Sequence, residues 1–245
     1  MKYLVIACGV LNDDIESCAK RLHNEYIFWY VPEKLHTEPQ KLWKNVQELI
    51  DKADEELLPA SESADGIEGI LLVIGLCGGM TNGISSKKHS LTMPRIHDCI
   101  SLYLGSAEKY DRLFKKYGGK VYWFSPAFFK QEYMPSEKNI VKRKLTLMEQ
   151  FDDEEAVDYI IETEMAPLQN YTHGALVDDE TSPSQALTDE ASSMCASYKW
   201  QLDRHVSSPN LFISLLNNDD SDSLVHAKPH ESLFPSNDDR IITAK

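Results

Sequence analysis

Three cysteines and one histidine stand at points where the chain leaves an apolar run. Cys8 ends the first run, and Cys77 follows the run that closes at Gly75. His97 and Cys99 follow a shorter run that ends at a proline. Thiolates and imidazole are the ligands of Cys₃His zinc sites, and thiolates also hold iron–sulfur clusters. The residue types therefore predict a metal site made by these four residues, with zinc favoured over an iron–sulfur cluster.

The spacing of the four residues limits how they can meet. No CxxC pair occurs, and His97 and Cys99 are two positions apart, so on a regular helix they would point in different directions. They converge only if His97 lies in an extended turn, with Asp98 as the helix N-cap and Cys99 in the first helical position. There the helix dipole is expected to lower the pKa of the Cys99 thiol.

A glycine-rich loop surrounds the second cysteine. In Gly75-Leu-Cys-Gly-Gly79, main-chain N–H groups can approach an anion, although neither the dinucleotide nor the P-loop pattern is present. The alternative is a pair of tight turns that only bring Cys77 to the site. The alternative for Arg95 is a structural ion pair. The alternative for His36 is an ordinary surface position. The candidate ligand-binding residues are Gly78, Gly79, Arg95 and His36.

The elements that must position these residues alternate between strands and helices. Short apolar runs predict strands over residues 3–8, 26–31, 67–75, 90–93 and 120–124. The alternation predicts an α/β fold, a doubly wound and mostly parallel sheet of the Rossmann or flavodoxin-like three-layer kind. Ligands of such sheets bind at the carboxyl ends of the strands. If the strand order is 2-1-3-4-5, the loops after strands one, three and four open on one crevice and bring the four residues together.

The chain is expected to divide near residue 130. Residues 1–130 would form the α/β core with the Cys/His site, and residues 131–245 an irregular acidic C-terminal portion. That portion is predicted to contain helices, a long loop over about 166–190 that is rich in Pro, Thr, Ser and Asp, and segments returning to the same domain. The predicted helices cover Asn139–Gln150 and Glu154–Met165.

The charge of the chain lies in its second part. Residues 1–150 hold 20 acidic and 20 basic side chains, whereas residues 151–245 hold 19 acidic and 5 basic and so carry the whole formal charge of −14. Such an acidic portion argues against nucleic acid or an anionic membrane surface as a partner. It is either a solvated periphery or a surface for a protein partner.

Cysteine usage and hydropathy predict a cytoplasmic protein. Five cysteines, an odd number without regular spacing, argue against a disulfide framework. The longest apolar stretch, residues 70–77, is too short to span a membrane. The apolar run at the start is only six residues long and acidic residues follow it, so it is interpreted as a strand and not as a signal peptide.

Several motifs within residues 3–130 together resemble one family. They are Ile6-Ala-Cys-Gly-Val-Leu11, Leu35-His36, Ile70-Leu-Leu-Val-Ile-Gly-Leu-Cys-Gly-Gly79, Pro94-Arg-Ile-His-Asp-Cys-Ile100, Leu104-Gly-Ser-Ala-Glu-Lys-Tyr110 and Tyr122-Trp-Phe-Ser-Pro126. This set resembles DUF1638, a bacterial and archaeal family of uncharacterised function that is often encoded near corrinoid-dependent methyltransferase systems. The resemblance implies that the cysteine and histidine motifs belong to a shared pattern, and it supplies no reaction.

Three functional hypotheses follow. The first is a thiolate-rich zinc site, acting in or beside methyl transfer, where His97 is the fourth ligand or an adjacent acid/base. The second is a metal-free protein that binds a small anionic molecule. The third is a partner-binding chaperone of a methyltransferase or corrinoid protein that uses the acidic C-terminal portion. The sequence makes no prediction about whether the protein is an enzyme.

Overall fold

The computed structural model describes residues 1–33, 35, 38–77, 79, 83–130, 134–181 and 183–245. The chain divides into two compact units, and no sheet is shared between them in the described residues. Unit 1 comprises residues 1–107 and 208–245, and unit 2 comprises residues 108–207. In chain order the elements are β1 (Lys2–Cys8), α1 (Asn12–Ala19), β2 (Glu25–Val31), α2 (Pro39–Glu56), β3 (Ile70–Val73), β4 (Ile84–Ser85), β5 (Leu91–Pro94), α3 (Ile100–Leu104), α4 (Ala107–Lys116), β6 (Val121–Phe124), α5 (Pro126–Lys130), α6 (Glu137–Met148), α7 (Glu154–Met165), β7 (His173–Asp178), α8 (Gln185–Tyr198), β8 (Gln201–Val206), α9 (Asn210–Asn217), β9 (Leu224–Ala227), β10 (Ser232–Pro235) and β11 (Ile242–Ala244).

The central sheet of unit 1 has five strands in the order β2-β1-β3-β5-β9. The first four are parallel, and only β9 runs antiparallel to its neighbour. All four residues of β3 and six of the seven in β1 are buried, as expected for strands covered on both faces. The mixed α/β architecture and the mostly parallel sheet agree with the prediction. The first, third and fourth predicted strands, which are β1, β3 and β5, also lie next to one another in the sheet, as predicted.

Helix α2 covers one face of this sheet. Its apolar residues recur at helical spacing, so Leu42, Val46 and Ile50 are buried in one cluster with Leu4 and Leu72 of the sheet. The helix begins at Pro39, where a first-turn proline is well tolerated, as the sequence indicated. The sequence Thr37-Glu-Pro-Gln40 predicts a capping box with Thr37 as the N-cap, and residue 37 lies outside the described residues.

A small antiparallel sheet in unit 1 was not predicted. Its order is β11-β10-β4, and its strands have only two to four residues each. Runs this short carry no readable periodicity. The buried Asp54 of α2 holds the turn after β4, because its carboxylate accepts from Ser86 Oγ at 2.6 Å and from Lys87 N at 2.7 Å.

Unit 2 contains a parallel sheet of three strands, β6-β7-β8. The predicted fifth strand is therefore β6 of this second sheet, paired with β7, and it does not continue the first sheet. The segment 166–190, predicted as a long loop, instead contains β7 and the start of α8. The strand's apolar centre is short and lies among polar residues, but Ala175, Leu176 and Val177 are buried in the core.

The observed division differs from the one predicted near residue 130. Strand β6 pairs with β7 and belongs to unit 2, whereas α9 and the last three strands belong to unit 1. Of the segments expected to return to the sheet, the one at Leu224 does so as β9. The two predicted helices are found as α6 and α7, with Ser136 and Asp153 as their N-caps.

None of the helices in the described ranges is both long and apolar enough to cross a lipid bilayer.

Candidate thiol site

Three cysteines lie at the carboxyl edge of the central sheet in unit 1. Cys8 ends β1, Cys77 lies in the turn after β3, and Cys99 immediately precedes α3. A side-chain hydrogen bond links Cys99 to Cys77, and the charge of Cys99 disfavours the thiolate of Cys8. Cys8 is buried, whereas Cys77 and Cys99 are half-buried, and all three are free thiols. We call Cys8, Cys77 and Cys99 the thiol cluster.

Main-chain contacts between two turns hold the cluster together. Beyond β3 the chain continues beside the segment that follows β5, with Leu76 N donating to Ile96 O at 3.2 Å and Cys77 N donating to His97 O at 3.0 Å. Gly75 allows this approach, because a Cβ there would lie 2.8 Å from the Cα of Asp98. The sequence indicated a close-packed turn here, and the contact with Asp98 explains why the turn requires a glycine at position 75.

Cys77 has an unusual main-chain conformation. Its φ is +45°, in the left-handed region that residues with a side chain seldom adopt. The turn is fixed from both sides, because the Leu76 carbonyl accepts from Trp43 Nε1 at 3.1 Å and from Gly79 N at 3.0 Å. Conformations of this kind cost roughly 1–3 kcal/mol and concentrate at functional sites. The strain presents the Cys77 thiol to Cys99.

His97 is the predicted ligand that the structure leaves outside the cluster. Its side chain is exposed, and it takes part through its main-chain carbonyl. As predicted, it precedes the helix, but the N-cap position of α3 is held by Cys99 and not by the predicted Asp98, whose Oδ1 accepts from Ile100 N at 2.9 Å. The His97 imidazole is not among the causes of the raised pKa of either Cys8 or Cys99.

The pKa of the Cys99 thiol is raised well above its ordinary value, contrary to the expected lowering. The hydrogen bond that Cys99 donates to Cys77 stabilises the neutral thiol, and burial adds to the effect. Helix α3 has only five residues, so its dipole is too weak to reverse this. The Cys99 thiol is therefore protonated at neutral pH.

Burial, together with a smaller effect of the neighbouring Cys99, raises the pKa of the Cys8 thiol to about 11. A hydrogen bond from the Val10 main chain acts in the opposite direction and is too weak to compensate. The carboxylate of Glu33 also disfavours the Cys8 thiolate. Negative charge at the cluster is therefore costly unless a cation balances it.

Two acidic or hydroxyl-bearing residues beside the cluster were not predicted. Tyr103 of α3 donates to Asp14 Oδ2 of α1 at 2.7 Å, and the pKa of Tyr103 is raised well above its usual value by burial, by Asp14 and by the nearby thiols. The sequence held a signal for the tyrosine, because it lies four residues after Cys99 and so on the same helix face. No comparable pattern pointed to Asp14.

Two of the four predicted ligand-binding residues, Arg95 and Gly79, are described, and both make structural contacts. Arg95 instead ties two strands together, since its Nε donates to Leu224 O at 3.1 Å and its Nη1 donates to the carbonyls of Arg240 and Ile242. Gly79 closes the turn described above, with φ of +112°. Gly78 and His36 lie outside the described residues.

Within the described residues, no three His, Cys, Asp or Glu side chains stand in a geometry that would already hold a metal ion. Coordination of a metal by all three thiols would therefore need a change in side-chain conformation.

The described residues form an α/β protein with a mostly parallel central sheet, and Cys8, Cys77 and Cys99 lie at the carboxyl edge of that sheet. The chain belongs to the family described as protein of unknown function DUF1638, whose match covers residues 30–216. The matched range contains Cys77, His97 and Cys99, begins after Cys8, and extends well beyond the resemblance seen in residues 3–130. Comparison with curated proteins and with solved structures gives no match.

Replacing Gly75 with alanine should destabilise unit 1 and open the thiol cluster. The added methyl group meets main-chain atoms of Asp98, which cannot rotate away, so we expect a loss of roughly 2–3 kcal/mol in unfolding free energy. Gly69→Ala at the other end of β3 is the matched control, because its nearest contact is the hydroxyl of Ser90 at 2.5 Å, which can rotate. Urea unfolding followed by tryptophan fluorescence measures both variants. Equal losses would contradict the role given to Gly75.

Proposed function

We propose that this protein binds a thiophilic metal ion, Zn²⁺ in the first place, through Cys8, Cys77 and Cys99. The proposal is supported by the position of these three cysteines at the ends of neighbouring strands and by the interactions of Cys99 with Cys77 and with Cys8. We take the fold to be a doubly wound, Rossmann-like one, in which that edge is the usual place for ligands.

The charges around the cluster favour a cation over an anion. Glu33 and Asp98 disfavour the thiolates of Cys8 and Cys99, respectively, and Asp14 lies beside Tyr103 in the same region. The nearest predicted cation, Arg95, is engaged by main-chain carbonyls. A divalent metal ion would balance the thiolate charges and so lower their pKa values, whereas an anionic ligand would add to the repulsion.

Three thiolates leave one coordination position of a tetrahedral zinc ion. That position is available to His97 after a change of side-chain conformation, or to water or a substrate thiol, as in catalytic zinc sites. A thiol bound to zinc is a nucleophile that can accept a methyl group. A role in or beside corrinoid-dependent methyl transfer in a reducing, cytoplasmic compartment is consistent with this chemistry and with the resemblance described above.

Metal binding can be tested on protein purified anaerobically with a thiol reductant. We expect about one zinc ion per chain by elemental analysis, and Co²⁺ in place of zinc should show thiolate-to-cobalt charge-transfer absorption. Cys18→Ser and Cys195→Ser are matched controls, because both thiols are free and buried outside the cluster. Less than a tenth of an ion per chain after incubation with excess Zn²⁺ would overturn the proposal.

A second candidate is thiol–disulfide exchange, which is favoured by the direct contact between Cys77 and Cys99. With glutathione disulfide as the oxidant, two protein thiols would become one disulfide and two molecules of glutathione would be released. Mass spectrometry after peptide digestion should find Cys77 linked to Cys99, and Cys77→Ser should abolish this link. Mixed glutathione adducts without an internal disulfide would exclude this candidate and leave the metal site standing.

A further inference from the structure

The parallel sheet of unit 2 has a cleft at its carboxyl edge. Strands β7 and β8 end there at Asp178 and Val206, which are paired in the register of the two strands. The cleft has a volume of about 180 Å³ and is lined by the ends of both strands and by the loop that leads from β7 to α8. Parallel sheets bind ligands at this edge, and sites for drug-sized ligands measure roughly 300–1,000 Å³. The cleft therefore suits a smaller molecule, of the size of an amino acid.

Arg204 of β8 supplies the positive charge of the cleft. It is exposed, and its Nη1 donates to Thr188 Oγ1 at 3.4 Å, which is a long contact. It forms no ion pair with a carboxylate of any described residue, although three acidic residues line the same cleft. A guanidinium offers five N–H donors in a planar fork that matches a carboxylate. The arginine is therefore in a position to bind the carboxylate of a ligand.

The loop between β7 and α8 gives the cleft a negative side. Asp178 Oδ2 accepts from Ser184 N at 2.6 Å and Asp179 Oδ1 accepts from Thr181 N at 2.7 Å, so these two carboxylates also fix the shape of the loop. Glu180 follows them, is exposed and lines the cleft as well. A ligand with only a carboxylate would be repelled by this side, and a ligand with only an ammonium group would leave the arginine without a counter-charge. The two signs of charge together favour a zwitterion.

We propose that this cleft binds a free α-amino acid. Arg204 holds the carboxylate of the ligand, the acidic loop faces its ammonium group, and its side chain packs on the apolar part of the lining. That part consists of Leu176, Pro183 and Val206. All of the lining residues belong to unit 2, so the site is separate from the thiol cluster of unit 1 and does not depend on zinc.

Isothermal titration calorimetry of the full chain with each of the common L-amino acids tests the site. We expect at least one amino acid to bind with a Kd below about 1 mM. Its deamino acid and its decarboxylated amine, which for alanine are propionate and ethylamine, should bind at least about tenfold more weakly, because each lacks one of the two charges. The titration is done with EDTA present and is repeated on the Cys99→Ser variant, because amino acids also coordinate zinc.

Substitution of the arginine links the binding to the cleft. Arg204→Gln should weaken the binding of the best amino acid by at least about tenfold, and Arg204→Lys, which keeps the charge and loses the fork, by a smaller factor. Arg112→Gln, at an exposed arginine of α4 in the same unit, is the matched control and should bind like the wild type. Glu180→Gln should weaken the binding of the amino acid and not that of its deamino acid. Circular dichroism checks that each variant is folded.

Four results would each overturn the proposal. The first is that no amino acid binds with a Kd below about 1 mM, and the second is that the deamino acid binds as tightly as the best amino acid. The third is an Arg204→Gln variant that binds like the wild type. The fourth is binding that disappears with EDTA or in Cys99→Ser, which would assign the amino acid to the zinc site.

Discussion

Substitution of Cys99 by serine is expected to lower the affinity for Zn²⁺ by more than about 100-fold. Loss of a residue that only orients a metal ligand typically costs 10- to 100-fold, and Cys99 is proposed as a ligand itself. It also lies between the other two thiols, since it contacts Cys77 and influences Cys8. Competition with a chromophoric chelator measures the affinity, and Cys18→Ser is the control.

The same titration should show a rise in affinity with pH. The pKa of Cys8 is about 11 in the metal-free protein, so zinc must displace a proton from this thiol at neutral pH. Each displaced proton increases the apparent affinity by up to about tenfold per pH unit below the thiol pKa. An affinity that does not change between pH 6.5 and 8.5, or a Cys99→Ser variant that binds zinc like the wild type, would be incompatible with coordination by the cluster.

Substitution of Asp54 by alanine is expected to cost unit 1 roughly 3 kcal/mol of unfolding free energy. The carboxylate is buried and accepts from Ser86 Oγ, Lys87 N and Lys88 N at 2.6, 2.7 and 3.2 Å. Removing it leaves these donors without their acceptor in a region that water does not reach freely. Hydrogen bonds to charged groups contribute about 1.5–3 kcal/mol, and an unsatisfied buried donor adds its desolvation cost.

Asp54→Asn is the informative comparison for this prediction. The amide keeps one acceptor oxygen, so the loss of unfolding free energy should be about half that of the alanine variant or less. The nearby imidazole of His89 is buried, and neither ring nitrogen has a hydrogen-bond partner among the described residues. Hydrogen exchange over residues 84–93, together with urea unfolding, reports on this region. An alanine variant within about 0.5 kcal/mol of the wild type would show that the turn is held by other contacts.

The sequence by itself determined the elements around the thiols. Buried parallel strands must be apolar on both faces, so β1 and β3 appear as continuous apolar runs that end at Cys8 and shortly before Cys77. A carboxylate accepts readily from the first free N–H groups of a helix, which made Asp98 recognisable at the start of α3, although Cys99 holds the N-cap position. The convergence of three cysteines could therefore be predicted from placement alone, once the strand order was assumed.

Tertiary structure decided which sheet each later strand joins and which of the thiols are protonated. Strand β6 has the same local pattern as the strands before it, and only its pairing with β7, a short strand within a polar segment, assigns it to unit 2. Pairing depends on contacts between residues far apart in the chain, which no local pattern contains.

The three thiols illustrate the same limit at the candidate site. Their types and positions at strand ends were visible in the sequence, and the structure places all three at the same edge of the sheet. The exposure of His97 and the raised pKa of Cys99 were not visible, because both depend on the direction of side chains and on the burial of a sulfur atom beside Cys77. Burial and mutual contact act through three-dimensional distance, so only the folded chain fixes which thiols are protonated and which groups surround them.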